Sequence, residues 1–162
     1  MSVTSNFGIL HLSDPDAFLA ESHRVLKPGG RLAFSAWAPP PATEGFDLIL
    51  GAVNAAGNPN VPLPAGPPFF RYADPATVRR ALAKAGFVDA DVTTVDWMEW
   101  RVDSADELYE IFLEGTARTR ELLRGQNETE TEAVREELRR RFGERRRALR
   151  MPAVVSSGQK PL

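Results

Sequence analysis

Hydrophobic and polar positions alternate between strand-like and helix-like patterns in the first part of the chain. Residues 2–10 (SVTSNFGIL) form a short β-prone run that breaks at the sequence NFG. Residues 14–26 then carry apolar side chains at the spacing of one helix face, and residues 31–37 (RLAFSAW) are apolar or small on both faces, as in a buried parallel strand. Strand, helix and strand with short connections predict a right-handed βαβ unit with parallel strands.

The predicted helix carries specific signals at both ends. Asp14 is a good N-cap, Pro15 suits the first helical position, and Asp16 places negative charge at the positive end of the helix dipole. We therefore interpret the two aspartates as helix-start residues and not as a catalytic pair. The sequence KPGG at 27–30 ends the helix, and the Asp-Pro pair at 74–75 predicts the start of another one.

Residues 38–70 differ in composition from the segments on either side. APPPATEG is a proline-rich exit from the strand, GFDLILGAVNAAG at 45–57 predicts a helix of about three turns, and the remainder up to Phe70 is irregular. Two interpretations remain open for this segment: a mobile lid over a pocket, or a solvated connection.

The second half of the chain predicts two strands separated by helices. The alternation of residues 88–102 predicts one long strand, residues 104–125 predict a helix that begins with a capping box, and residues 131–146 predict a further helix. These helices form a helical insertion over 104–148. Residues 151–155 then predict the last strand, with a proline near its start.

Composition narrows the classes of function. The chain has 162 residues, a net charge of −2, no cysteine and two histidines. This length fits one domain with a real core, and the residue counts argue against disulfides, thiolate metal sites and histidine-based metal sites. The charge favours neither nucleic acid nor an anionic membrane, and no stretch resembles a membrane span or a signal peptide. We expect a cytoplasmic protein.

Two arginine clusters, at 139–141 and 145–147, raise the alternative of nucleic-acid binding. Glu136, Glu137 and Glu144 interleave with these arginines. Opposite charges three and four residues apart on a helix form ion pairs on a solvated face. The sequence therefore favours a charged helix surface over a nucleic-acid site.

The turn Asn6-Phe7-Gly8-Ile9-Leu10-His11 is the strongest candidate for a functional site. It follows a predicted parallel strand, and open α/β sheets bind ligands beside the carboxyl ends of their strands. Gly8 allows a ligand or backbone to approach closely, and an imidazole such as that of His11 suits proton transfer near neutral pH. Two roles remain open for His11: a catalytic group, or a histidine that packs or supports other residues.

The sequence SNFGILHLSDPDAFLAESHRVLKPGGRLAFSAW resembles the second half of the class I S-adenosylmethionine-dependent methyltransferases of the methyltransferase type 11 group. The shared features are a Leu-His-Leu segment after a strand, an Asp-Pro helix start and the sequence RVLKPGG at 24–30. A helix that ends at Phe87, followed by two closing strands, extends the resemblance over nearly the whole chain. The implied fold class is α/β: a partial Rossmann-like sheet, strands four to seven of the family, with a parallel pair, an antiparallel closing hairpin and helices packed on it.

The resemblance also implies a function. The family transfers a methyl group from S-adenosylmethionine, here to a small-molecule acceptor. Asn6, Phe7 and Gly8 are the implied cofactor-binding residues, with Phe7 lining the pocket, and His11 is the implied catalytic residue. Residues 38–70 become a lid or acceptor-site insertion, and no metal, nucleic acid or membrane is expected as a partner.

Two features of the family are missing from this sequence. The glycine-rich cofactor loop and the acidic residue that holds the ribose hydroxyls belong to strands that precede this segment in the family, and the chain contains no Gly-x-Gly sequence. We therefore expect residues 1–162 to form a single truncated methyltransferase-like domain. Methyl transfer by this chain alone is expected to be impaired or absent.

A second interpretation belongs to a different class of protein. Val3 to Phe7 is expected to be an interior strand with one unpaired edge, and such edges pair with other strands. A non-catalytic binding or assembly module would use this edge to bind a second copy of the chain or a separate N-terminal half. A third interpretation is a fragment without a stable fold of its own.

Overall fold

A computed structural model describes residues 1–143 and 147–162 of the chain, without the side chain of residue 147. The strands are β1 (Ser2–Ser5), β2 (Arg31–Trp37), β3 (Val88–Val95), β4 (Glu99–Val102), β5 (Arg147–Arg150) and β6 (Ala153–Gln159). The helices are α1 (Pro15–Val25), α2 (Glu44–Ala56), α3 (Pro75–Lys84), α4 (Ala105–Gly115), α5 (Arg118–Arg124) and α6 (Glu128–Phe142). Short 3-10 turns lie at Ile9–His11 and Arg71–Ala73.

The described residues form two compact units. The first consists of Met1–Pro39, Ala65–Asp96 and Pro152–Leu162, and the second consists of Pro40–Pro64 and Trp97–Met151. The predicted segment 38–70 therefore contributes to both units.

The first unit contains a four-stranded sheet in the order β1-β2-β6-β3. β1 and β2 are parallel, from Ser2 opposite Arg31 to Ser5 opposite Phe34. β6 is antiparallel to both β2 and β3. This arrangement confirms the predicted α/β fold class, with a parallel pair followed by an antiparallel closing pair of strands and helices packed on the sheet.

Local chemistry explains the βαβ unit. The Asp14 carboxylate accepts a 2.9 Å hydrogen bond from the Ala17 amide, as an N-cap should. Gly29 has a φ of +73°, a backbone conformation that glycine adopts without steric cost, and this turn leads directly into β2. Leu32, Phe34 and Ala36 of β2 are buried in the core of this unit.

β1 lies at the margin of the described sheet. Within residues 1–143 and 147–162, the strand that pairs with it is β2. Ser2 and Thr4 are exposed, whereas Val3 and Ser5 are half-buried and Val3 packs on the core. The unpaired edge that the sequence predicts is therefore present in the described sheet, and the binding of another chain to it stays a prediction.

Among the described residues, the second unit contains the helices α2, α4, α5 and α6 and the antiparallel pair of strands β4 and β5. Its core includes an edge-to-face contact between Phe46 of α2 and Phe112 of α4, with ring centroids 4.9 Å apart. Trp100 of β4 lies 5.9 Å from the same Phe112 ring. Burial of Leu108 and Leu138 completes the apolar interface of these helices.

The prediction of one strand over 88–102 is wrong. β3 ends at Val95 and pairs with β6, whereas β4 begins at Glu99 and pairs with β5 in a separate sheet. Between them, the Met98 carbonyl accepts a 2.9 Å hydrogen bond from the Met151 amide. The alternation of apolar residues continues across this break because each of the two strands has one face that is less exposed than the other.

The prediction of one helix over 104–125 is also wrong, because α4 ends at Gly115 and α5 begins at Arg118. Thr116 adopts an extended backbone, and its hydroxyl donates a 2.6 Å hydrogen bond to the Phe112 carbonyl. A threonine side chain that bonds to the preceding turn competes with the helical backbone, which explains the interruption. The predicted capping box is confirmed in part, since the Ser104 hydroxyl accepts from the Glu107 amide.

Two further boundaries differ from the prediction. α6 covers Glu128–Phe142 and begins with a capping box between Asn127 and Glu130, whereas residues 144–146 of the predicted helix lie outside the described residues. β6 covers Ala153–Gln159 and not 151–155. The sequence Ser-Ser-Gly in β6 has weak strand propensity, but pairing on both sides with β2 and β3 extends the strand.

The first arginine cluster lies on α6 and forms ion pairs. Arg140 and Arg141 both bind Glu137, at 2.6 and 2.7 Å. Arg139 binds Asp106 at 2.9 Å. The predicted charged helix surface is confirmed for residues 139–141, whereas Arg145 and Arg146 lie outside the described residues.

Candidate functional site

The candidate site lies where the two parallel strands end. Because β1 and β2 run in the same direction, their carboxyl ends lie at the same edge of the sheet. β1 ends at Ser5 and is followed by Asn6 and Phe7, while β2 ends at Trp37. We call this the carboxyl edge.

Ser35 of β2 connects the two strand ends through its hydroxyl group. The Phe7 amide donates a 2.9 Å hydrogen bond to Ser35 Oγ, and Ser35 Oγ donates a 2.7 Å hydrogen bond to Asn6 Oδ1. Ser35 is buried, and Asn6 is exposed. The turn after β1 is thus anchored to β2 by a buried hydroxyl that serves as both donor and acceptor.

Phe7 has an unusual backbone and a close aromatic partner. Its φ is +52°, in the left-handed region that a bulky residue rarely adopts and that costs about 1–3 kcal/mol. Its ring stacks on Trp37, with centroids 3.9 Å apart and planes inclined by 18°. The two rings bring a half-buried aromatic pair to the carboxyl edge.

Gly8 lies close to the end of β1. A side chain built at this position would bring its Cβ within 2.8 Å of Ser5 Oγ, so the turn packs back on the end of β1. The backbone φ of Gly8 is −82°, which any residue can adopt. The close approach at Gly8 is therefore made by Ser5 of the same chain.

His11 lies at the end of the 3-10 turn that follows Gly8. The His11 amide donates a 3.0 Å hydrogen bond to the Gly8 carbonyl, and the buried side chains of Ile9 and Leu10 anchor the turn in the core. The imidazole is 6.0 Å from the Phe69 ring. Partial burial lowers the pKa of His11, which favours the neutral imidazole that can accept a proton.

A charged cluster at the start of α1 was not predicted as such from the sequence. Besides its place in the first turn of the helix, Asp16 accepts hydrogen bonds from Arg71 at 3.1 Å, from the Tyr72 hydroxyl at 3.2 Å and from Lys84 at 3.4 Å. Desolvation alone would raise the pKa of Asp16, but the Arg71 charge and the bonds from Lys84 and Tyr72 together lower it. The cluster fixes the Arg71–Ala73 turn, and so the segment that carries Phe69, to α1.

The predicted site residues are thus brought together in part. Asn6 and Phe7 share one hydrogen-bonding partner, Ser35. Gly8 follows them in the chain and packs on Ser5. His11 contacts Phe69. Ser35 and Trp37 were missed as site residues because a small polar residue and an aromatic residue in a buried strand are also typical of core packing.

Comparison with known families gives a match to the part of the chain that contains the Asn6–His11 turn. The model of the methyltransferase domain family matches residues 2–34, which include β1, the Asn6–His11 turn, α1 and most of β2. The predicted resemblance to this family is confirmed for that segment. The sequence matches no curated protein.

Solved structures show a partial likeness of shape. A methyltransferase candidate from Bacillus halodurans is 18% identical with a TM-score of 0.47, and the alignment covers 99% of this chain and 70% of that one. Phosphoethanolamine N-methyltransferase 2 from Haemonchus contortus, solved with phosphomonomethylethanolamine and S-adenosylhomocysteine, is 16% identical with a TM-score of 0.44 and coverages of 99% and 33%. The YcgJ protein of Bacillus subtilis is 15% identical with a TM-score of 0.43 and coverages of 99% and 64%. This chain thus spans a third to about two thirds of the length of these structures.

Proposed function

We propose that the chain binds S-adenosylmethionine at the carboxyl edge and takes part in methyl transfer to a small-molecule acceptor. The observation that supports this most strongly is the coincidence of two findings. The methyltransferase match covers residues 2–34, and the strained, hydrogen-bonded turn at Asn6 and Phe7 lies inside that segment.

The chemistry of the carboxyl edge suits one side of this cofactor. The ligand combines a planar adenine, a sulfonium cation and polar groups that accept hydrogen bonds. The aromatic faces of Phe7 and Trp37 are suited to stack with the purine or to attract the cation. The exposed Asn6 amide offers a hydrogen-bond donor. Gly8 keeps the turn compact.

His11 is proposed as the residue that takes a proton from the methyl acceptor. The bound cofactor supplies an electrophilic methyl group, and the protein contributes positioning and proton removal. The lowered pKa of His11 keeps a larger fraction of its imidazole neutral near pH 7. Phe69, 6.0 Å from the imidazole, belongs to residues 38–70, which supports an acceptor-side role for that segment.

The proposal also covers the organisation of the chain. Residues 1–162 act as a methyltransferase-like chain, with residues 104–148 as a helical insertion. Among the described helices, none has the length and apolar character of a membrane span. The proposal places the protein in the cytoplasm and includes no membrane or nucleic-acid partner.

Cofactor binding by this chain alone is proposed to be weak. The sequence contains no Gly-x-Gly loop, and each missing charge-assisted or bidentate hydrogen bond removes about 1.5–3 kcal/mol. Several such losses reduce affinity by orders of magnitude, into the range of about 0.1–1 mM.

Isothermal titration calorimetry with S-adenosylhomocysteine tests the proposal, with adenosine as a second ligand and homocysteine as a third. The proposal predicts saturable binding of S-adenosylhomocysteine that is weaker for adenosine and absent for homocysteine, because the carboxyl edge contacts the purine. No heat of binding for any ligand at about 1 mM would reject cofactor binding by this chain.

A second candidate function rests on the edge of β1. In the part of the chain that the structure describes, β1 pairs with β2, and its outer edge faces away from the sheet. A binding or assembly module would add a strand from a second copy or from a separate N-terminal half at this edge. Light scattering tests this candidate: a mass that rises with concentration supports it, and a constant monomer mass at tens of micromolar contradicts self-pairing.

A further inference from the structure

We propose that Ser35 is a positioning residue for the ligand site at the carboxyl edge. Its hydroxyl holds the turn after β1 in the conformation that presents Phe7 and Asn6 to the ligand. This inference rests on the proposed function for the identity of the ligand. The placement of the turn by Ser35 is a property of the free protein and can be measured separately.

The hydrogen-bonding capacity of a serine hydroxyl explains why one side chain controls two neighbours. A hydroxyl has one hydrogen to donate and two lone pairs to accept with. Ser35 Oγ accepts from the Phe7 amide at 2.9 Å, so its own hydrogen is directed to Asn6 Oδ1 at 2.7 Å. Because Ser35 is buried, water competes poorly for either bond.

The bond to Phe7 balances the strain in its backbone. A φ of +52° is unfavourable for phenylalanine, and surrounding contacts must hold it. The Ser35 hydroxyl and the stack on Trp37 both contribute to this, together with the packing of Phe7 on the core. Without the hydroxyl, the Phe7 amide loses its partner, and an extended backbone that moves the ring away from Trp37 becomes more favourable.

The bond to Asn6 sets which face of its amide meets the ligand. The Ser35 hydroxyl binds one of the two lone pairs of Oδ1 and so fixes the orientation of the amide, and the Nδ2 group is the hydrogen-bond donor of this exposed side chain. Asn6→Asp keeps an oxygen for Ser35 but replaces this donor with an acceptor. The Nδ2 group therefore offers a donor to a ligand acceptor, such as a purine ring nitrogen.

The chain provides a matched control on the neighbouring strand. Ser156 of β6 is buried, as Ser35 is. It lies opposite Phe34 of β2, the residue that precedes Ser35. Its Oγ has no hydrogen-bond partner among the described residues. Ser156→Ala therefore removes the same chemical group from the same sheet without breaking a bond to the turn.

The experiment compares Ser35→Ala, Ser35→Thr, Asn6→Ala and Ser156→Ala in two measurements. In the free protein, ¹H–¹⁵N spectra report the Phe7 amide and the Trp37 indole. Ser35→Ala is expected to move both signals, Ser35→Thr to restore them, and Ser156→Ala to leave them unchanged. Calorimetry with S-adenosylhomocysteine is expected to show about tenfold weaker binding for Ser35→Ala, near wild-type binding for Ser35→Thr and no change for Ser156→Ala.

If the Ser35→Thr variant does not fold, Asn6→Ala still tests the inference, because Asn6 is exposed and its substitution should leave the fold intact. In the double variant Asn6→Ala/Ser35→Ala, the loss of binding free energy is expected to be smaller than the sum of the losses in the two single variants. The reason is that both substitutions break the same hydrogen bond. Independent, additive losses would overturn the inference. Unchanged Phe7 and Trp37 signals in Ser35→Ala would also overturn it, whether or not the ligand binds.

The same data separate this inference from the proposed function. If the wild-type chain fails to bind S-adenosylhomocysteine, the proposed function is rejected, while the spectra of the free protein still decide whether Ser35 positions the turn. If the wild-type chain binds and Ser35→Ala binds equally well, the positioning role is rejected and the proposed function stands.

Discussion

The rings of Phe7 and Trp37 stack with centroids 3.9 Å apart, and they join the ends of two parallel strands at one edge of the sheet. Phe7 reaches this position only through a left-handed backbone, with a φ of +52°. A chain that keeps a bulky residue in an unfavourable conformation indicates a local function for that residue. We propose that this function is ligand binding.

Replacing Phe7 by leucine tests the aromatic contribution directly. An aromatic pair contributes about 0.5–1.5 kcal/mol beyond the burial of area, so Phe7→Leu should weaken the binding of S-adenosylhomocysteine about three- to tenfold. Calorimetry measures the change. The matched control is Phe18→Leu on α1, which removes another partly buried ring from the same core. An equal loss of affinity in both variants would show that the effect is not specific to the carboxyl edge.

The cluster around Asp16 predicts a pH dependence of stability. The pKa of Asp16 is lowered in the folded state because the Arg71 charge and its hydrogen bonds outweigh desolvation. A lowered carboxyl pKa stabilises the fold above the unfolded value and loses this contribution as the pH falls through the folded one. In urea unfolding at pH 6, the free energy of unfolding of the wild type should therefore exceed that of Asp16→Asn by up to about 1 kcal/mol. This difference should become smaller below pH 3.8. A difference that stays constant over this range would contradict the lowered pKa.

The two tyrosines predict the behaviour of the chain in alkali. Burial, the largest cause, raises the pKa of Tyr72 to about 12, and burial also raises the pKa of Tyr109. A raised phenol pKa stabilises the fold below the unfolded value near 10 and loses this contribution as the pH rises toward the folded value. Phenolate absorbance should therefore remain low at about pH 10 in the folded chain and reach about half its maximum in denaturant. Tyr72→Phe leaves Tyr109 as the one reporter. A native titration centred near pH 10 would contradict the burial of both rings.

The side chain of Lys160 is expected to contribute to the free energy of unfolding. Its Nζ donates 2.8 Å hydrogen bonds to the carbonyl groups of His23 and Leu26 at the end of α1. A cation at this position satisfies helix carbonyls and complements the helix dipole. Lys160→Met should lower the free energy of unfolding by about 2 kcal/mol, as measured in urea. Lys27→Met, at an exposed position near the same helix end, should cost less than about 0.5 kcal/mol; equal costs would argue against the bonds of Lys160.

The parts of the fold that the sequence predicts well are those determined by local chemistry. Asp14 and Asp74 both accept hydrogen bonds from amides three residues later, as their positions before Pro15 and Pro75 predict. Gly29 adopts the left-handed conformation expected after a helix. Caps and turns depend on a few neighbouring residues, so a single sequence contains the information they need.

The parts that were missed depend on partners distant in sequence. The break between β3 and β4 is set by which strand each one pairs with, and the apolar alternation around Trp97 is the same on both sides. The strand 153–159 is completed by its two neighbours and not by its own propensity. Ser35 illustrates this for the site: its role depends on Asn6, 29 residues away, and a lone serine in a strand gives no signal of such a partner.

A ¹H–¹⁵N titration of the wild-type chain with S-adenosylhomocysteine reports both whether the ligand binds and where it binds. The largest saturable shifts are expected at the amides of Asn6, Phe7 and Gly8 and at the Trp37 indole. Shifts confined to residues 97–143, or an unchanged spectrum at about 1 mM ligand, would contradict ligand binding at the carboxyl edge.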